Sequence, residues 1–197
     1  MCGIADRNLI AKQMRRAPRG LVAVAARCPS GHPSVITCYP LRRVGQRVVP
    51  FPTLYWLTCP RLCREIASLE RAGVIAEIGA ELAQDVALQA RLSKDHEDYI
   101  ARRWAALSPD DRLLVYRCGL EGEFQWRGIG GMTNFTAVKC LHLHVAHHLV
   151  SGNALGELVI RRFGVQFRGA CSGMQGRVPG SATGQTLDQP PFAPRHG

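Results

Sequence analysis

Long apolar runs are what this 197-residue chain lacks most plainly. No stretch approaches the roughly 20 apolar residues that a membrane-spanning helix needs. The opening MCGIADRNLIAKQMRRAPRG has no continuous apolar segment of the kind a secretory signal carries. The expectation is a cytoplasmic protein without a membrane partner. In that reducing milieu eight cysteines read as buried thiols, metal ligands or reactive groups, not as a disulfide framework. Acids are scarce too, 15 against 25 Lys and Arg, which leaves a net charge of +10. Lysine is nearly absent, with only Lys12, Lys94 and Lys139 among those cations. Aromatics make up 7% of the chain and do not interleave with the basic residues, so no nucleic-acid reader motif is visible. No internal repeat of solenoid length occurs.

What is present suits one globular domain with a real core, since 46% of the residues are hydrophobic. The basic charge is unevenly placed. Residues 1–50 hold nine Lys and Arg against the single Asp6, while residues 51–120 hold nine against ten acids and residues 121–197 seven against four. The arm carrying Arg15, Arg16, Arg19, Arg42, Arg43 and Arg47 offers a place for a polyanion such as RNA, DNA or a phosphorylated ligand. The competing reading is a solvated segment whose arginine bias follows from a GC-rich coding sequence.

The order of elements predicts an α+β fold, with a small N-terminal sheet of about three to four strands packed with about five helices. A short helix is expected over residues 5–16. LVAVAARC (21–28) and SVITCY (34–39) read as strands joined by the turn PSGHP, followed by a short strand in RVGQRVV and a stronger one in TLYWLTC (53–59). Pro60 then changes the period. Leu62, Ile66 and Leu69 recur at helical spacing up to Gly73, and further helices are expected within 75–107, after Ser108-Pro109, over 136–150 and over 154–163. The segment 122–134 reads as a loop, and its GIGG lacks the strand and helix that a phosphate cradle requires. The domain division is a basic segment 1–19, a globular domain 20–168 and a disordered Gly/Pro-rich tail 169–197.

Three cysteines sit where elements begin or end. Cys59 closes a strand and opens a helix, where free N–H groups and the helix dipole favour a thiolate, so it is the candidate nucleophile as well as a candidate ligand. Cys63 lies one turn on, in a C-x-x-x-C spacing that also fits a buried small hydrophobe. Cys28 runs into the PSGHP turn. KCLHLHVAHHL (139–149) adds Cys140 and four histidines. On a helical wheel Cys140, His144, His147 and His148 share a polar face, whereas His142 falls in the apolar arc of Leu141, Leu143, Val145, Ala146, Leu149 and Val150 and is expected to be buried. A helix that starts at Lys139 or later would instead release Cys140 from that face.

RCPSGHP (27–33), PFPTLYWLTCP (50–60), LERAG (69–73), GIGG (128–131) and VKCLH (138–142) with a later histidine, in that order, resemble a family of small uncharacterised bacterial proteins, domain of unknown function 501. The resemblance covers about residues 18–156. It implies no activity, substrate or cofactor, and it singles out Cys28, Cys59, Cys140, His142 and His147. The expected site therefore joins Cys28, Cys59 and Cys140 with His142 or His147, a donor set suited to zinc or, with a further ligand, to an iron–sulfur cluster. The alternatives are a thiol enzyme with Cys59 as nucleophile and a histidine base, or a nucleic-acid-binding or interaction protein acting through the basic arm.

Overall fold

The computed structural model describes residues 2–165, so the tail expected over 169–197 lies outside the described residues. In chain order the elements are α1 (Ile4–Met14), β1 (Leu21–Arg27), β2 (Pro33–Cys38), β3 (Leu41–Val44), β4 (Arg47–Pro50), β5 (Tyr55–Leu57), α2 (Pro60–Arg71), α3 (Val74–Gln84), α4 (Val86–Ala105), α5 (Pro109–Arg117), α6 (Glu121–Gln125), a 3-10 turn (Ile129–Gly131), α7 (Leu141–Ser151) and α8 (Ala154–Arg162). The α+β class stands, with five strands in two sheets and eight α-helices among the described residues. The stretch 75–107 forms two helices because Asp85 turns the chain and caps α4, its side chain accepting from the Leu88 N–H at 2.9 Å. The strand expected over 53–59 is only three residues long. Both N–H groups that follow it, Thr58 and Cys59, turn to the Ser34 carbonyl, and Pro60 then starts α2.

The main sheet is antiparallel in the order β1-β2-β5, with Val35 opposite Leu57, Ile36 opposite Trp56 and Thr37 opposite Tyr55. Strand alternation sends Val35, Tyr55 and Leu57 into the helical body and Ile36, Cys38 and Trp56 to the other face, where Ile10 and Met14 of α1 cover part of the sheet. Covering both faces buries β2 and accounts for its continuous apolar run. Residues 4–14 are thus packed onto the domain through Ile10, although they carry the start of the basic arm. Strands β3 and β4 form a separate hairpin, turned at Gly45, whose Leu41 joins Leu107, Val115 and Phe124 in a second cluster.

Helix α7 runs through the middle of the main core, packed against α8, β5 and α2. Its Leu141, Val145 and Ala146 are fully buried. The close approach of α8 rests on Gly156, where a Cβ would lie 2.4 Å from the backbone oxygen of His144 and 2.5 Å from the Cβ of His148. A backbone atom cannot yield as a flexible side chain can, so Gly156→Ala must push the two helices apart. The expected outcome is a loss of about 1–3 kcal/mol or more, read as a lower denaturant midpoint at unchanged slope.

Candidate metal site at the start of a buried helix

Helix α7 begins one residue after Cys140, which is its N-cap in extended conformation and gives the helix no side-chain cap. The acceptor comes from another element. Glu70, in the last turn of α2, takes the Leu141 N–H on Oε1 at 2.7 Å. A carboxylate at a helix C-terminus opposes the dipole of its own helix, but here it faces the N-terminus of α7, where the dipole and a charge-assisted hydrogen bond favour it.

His142 completes the arrangement. Its Nε2 lies 3.1 Å from the Cys63 carbonyl oxygen, so that nitrogen carries a proton and donates. Its Nδ1 lies 3.2 Å from Glu70 Oε1 and 3.7 Å from Cys140 Sγ. The three donor atoms of Glu70, Cys140 and His142 all lie within 4.8 Å of one another, and each residue is partly exposed. A thiol, an imidazole nitrogen and a carboxylate thus converge on one point that solvent can reach. Without an ion a proton fills this point. The Cys140 hydrogen bond pushes His142 up to about 9 against the opposing effect of burial, with Glu70 adding to the rise. Burial acts to raise the Glu70 carboxyl, but the His142 charge and the Leu141 N–H outweigh it and hold it below its ordinary range.

The other residues read from the sequence stand outside this group. Cys28 is buried at the β1–β2 turn, with its N–H on the His32 carbonyl at 2.9 Å. Cys59 is the N-cap of α2 and is 1% exposed, which withdraws its thiol from bulk solvent. Cys63 donates its thiol to the Leu57 carbonyl at 3.5 Å, and burial pushes it up to about 11. Cys140 Sγ and His142 Nδ1 stand side by side, 3.7 Å apart.

The helical-wheel assignment of the histidines is reversed. His144 and His147, expected on a wet face, are 1% and 0% exposed, His142, expected to be buried, has 25% of its side chain exposed, and His148, expected on the wet face, is partly buried. The wheel placed the polar face by counting polar side chains, but α7 is enclosed on several sides, and His144 and His147 each turn Nδ1 to the Asn153 side chain inside, while the buried His147 Nε2 has no hydrogen-bond partner among the described residues. Asn153 organises them. Its Oδ1 accepts from the Gly156 N–H at 2.9 Å and faces His144 Nδ1 at 3.2 Å, so that nitrogen is the protonated one, while its Nδ2 lies 3.4 Å from His147 Nδ1 and donates. His147 stacks on Tyr55 and points Nε2 towards Asp98 Oδ2 at 3.6 Å. His96 Nδ1 accepts from the Ile129 N–H at 3.0 Å. A Cβ at Gly128 would lie 2.1 Å from that nitrogen, so the first glycine of GIGG makes room for a buried ring.

Glu70 is the member of this group that sequence reasoning missed. LERAG holds it in plain view, and an acid in the final helical turn, against the dipole, was the available signal. A family model described as "Protein of unknown function (DUF501)" matches residues 24–161. The chain belongs to this DUF501 family. The match takes in all three residues of the converging group. No curated protein and no solved structure matches the chain. Among the described residues of this DUF501 protein, no helix is long and apolar enough to cross a membrane.

The histidines predict opposite pH responses. Burial lowers His96 to about 4 and His144 to about 3, from 6.5 in the unfolded chain, so their contribution to stability is full above pH 6.5 and is lost as pH falls towards those values. His142 is raised, so its contribution is full below pH 6.5 and is lost as pH rises through about 9. Denaturant midpoints of the metal-free protein, measured from pH 4 to 10, are expected to fall at both ends. His142→Gln removes the alkaline limb and leaves the acid one.

Proposed function

We propose that this protein binds a transition metal ion of the zinc class through Glu70, Cys140 and His142. The observation that carries the reading is the convergence of three unlike donors on one half-exposed point, with His142 Nε2 tied to the Cys63 carbonyl. That bond supports the tautomer with its lone pair on Nδ1, facing the thiol and the carboxylate. A carbonyl or carboxylate that accepts from the other ring nitrogen orients most metal-bound histidines. A sulfur, nitrogen and oxygen set suits borderline-soft zinc better than magnesium or calcium, which take oxygen donors. Three protein ligands leave a fourth position for water or a substrate atom, as in sites that do chemistry. An iron–sulfur cluster needs more thiolates, and Cys28 and Cys59 are the ones the sequence offers.

Calorimetric titration of the metal-free protein with zinc, and optical titration with cobalt, test this. One ion per chain is expected, with a thiolate-to-cobalt charge-transfer band and proton release that grows as pH falls below about 9. Cys140→Ser abolishes the band, and Glu70→Gln, which removes a direct ligand, weakens binding by more than the roughly 10- to 100-fold that a lost supporting group costs. Cys28→Ser and Cys59→Ser separate the wider ligand set from the narrower one, since only the wider set loses affinity on their substitution. Folded protein that takes up neither ion sinks the proposal.

A second reading is favoured by charge. Among the described residues no carboxylate forms an ion pair with Arg15, Arg16, Arg19, Arg42 or Arg47, whereas Arg27 is held by Asp6 at 2.6 Å and Arg43 by Asp111 at 3.4 Å. Unneutralised guanidinium groups grouped in the first fifty residues support contact with a polyanion. Heparin-column retention that falls steeply with salt is the expected behaviour.

A further inference from the structure

Sequence order separates the basic residues of the arm from the aromatic residues that follow, and the fold brings them together. The α1 face of the main sheet is covered by Ile10 and Met14 only in part. Beyond the end of α1 it opens into a groove of about 100 Å³, lined by Arg16, Arg19, Arg42, Phe51 and Trp56 over the buried side chain of Ile36. Trp56 reaches it because strand alternation points it away from the helical body, and Phe51 follows directly after the β3–β4 hairpin. The two rings are nearly parallel, 10° apart in plane and 6.4 Å between centroids. Each carries an arginine: the Arg42 guanidinium carbon lies 3.5 Å from the Phe51 centroid and that of Arg16 lies 5.1 Å from the Trp56 centroid.

We infer that this groove is a binding surface for single-stranded nucleic acid, an inference that rests on the polyanion reading and gives it a place. The guanidinium planes laid on the two rings form, with the rings behind them, a layered platform against which an unpaired base stacks, and the arginine charges meet the phosphates. A duplex hides its base faces, so it can use only the phosphate contacts. The groove is far smaller than the roughly 300–1,000 Å³ pocket that encloses a whole small-molecule ligand, which fits an edge-on platform for one or two bases along a strand. Arginine in place of lysine matters here. A guanidinium stacks, whereas an ammonium is a point charge.

Fluorescence anisotropy with the full chain tests it, using a labelled 12-nucleotide single strand of RNA or DNA, the same sequence as a duplex, and heparin as competitor. Single strand is expected to bind about tenfold or more tighter than duplex, with strong salt dependence. Phe51→Leu with Trp56→Leu is expected to cost the single strand about 10- to 100-fold, the scale of one or two lost stacking contacts, while leaving heparin binding and the melting temperature nearly unchanged. Arg16→Gln with Arg42→Gln weakens single strand and heparin alike. Equal affinity for single strand and duplex, or single-strand binding that survives the aromatic substitutions, overturns the groove while leaving the polyanion reading intact. Absence of binding to any of the three at low salt overturns both. If the aromatic variant melts early, Arg42→Lys keeps the charge and removes the planar stacking group; it is expected to narrow the preference for single strand over duplex, and an unchanged preference overturns the groove.

Discussion

Helix α7 meets the C-terminal turn of α2 with its N-terminus, and the Glu70 carboxylate stands in the gap. A helix start leaves backbone N–H groups without partners, and a helix end is an unfavourable place for an acid. Setting one against the other satisfies both: Glu70 takes the Leu141 N–H and gains the dipole of α7. The arrangement of Cys140 and His142 depends on this contact. Cys140 leaves the helical path as its N-cap, and His142 turns into the space between the Glu70 carboxylate and the Cys63 carbonyl. Moving the start of α7 by one residue would disperse all three donors.

One helix therefore holds histidines in two electrostatic states. At its N-terminal turn a carboxylate and a thiol favour a cation on His142, whether a proton or a metal ion. Two residues on, the interior favours neutrality. His144 is kept uncharged by burial, with Asn153 arranging its tautomer and that of His147. The inner histidines are packed within a core, each with Nδ1 held by Asn153, and the outer one is partly exposed to solvent. Asn153 also caps α8, so the tautomers and the α7–α8 contact at Gly156 are set by neighbouring residues.

Much of this was legible in the sequence, because the elements carry local signals. Pro60 and Ser108-Pro109 opened helices where expected, whereas the Asp85 cap that separates α3 from α4 was not singled out among the polar residues of 75–107. KCLHLHVAHHL and the family resemblance drew attention to Cys140 and His142, and the fold sets their Sγ and Nδ1 3.7 Å apart. Glu70 was not, because its partner lies on another element and periodicity is silent about contacts 71 residues apart. The wheel misplaced His144 and His147 because it assumes that polar side chains face water, and a core with hydrogen-bonding partners removes that assumption. The stacking residues Phe51 and Trp56 escaped notice for a related reason: they neighbour the arginines in space through the strand pairing, not in the chain.

X-ray absorption at the zinc edge of the loaded protein tests the central claim most directly, because it counts the atoms around the ion without relying on substitutions. The account predicts one sulfur at about 2.3 Å and the remaining nitrogen and oxygen donors at about 2.0–2.2 Å. A shell of three sulfurs would move the site to Cys28, Cys59 and Cys140, and a shell with no sulfur would remove Cys140 from it; either result contradicts a centre built on Glu70, Cys140 and His142.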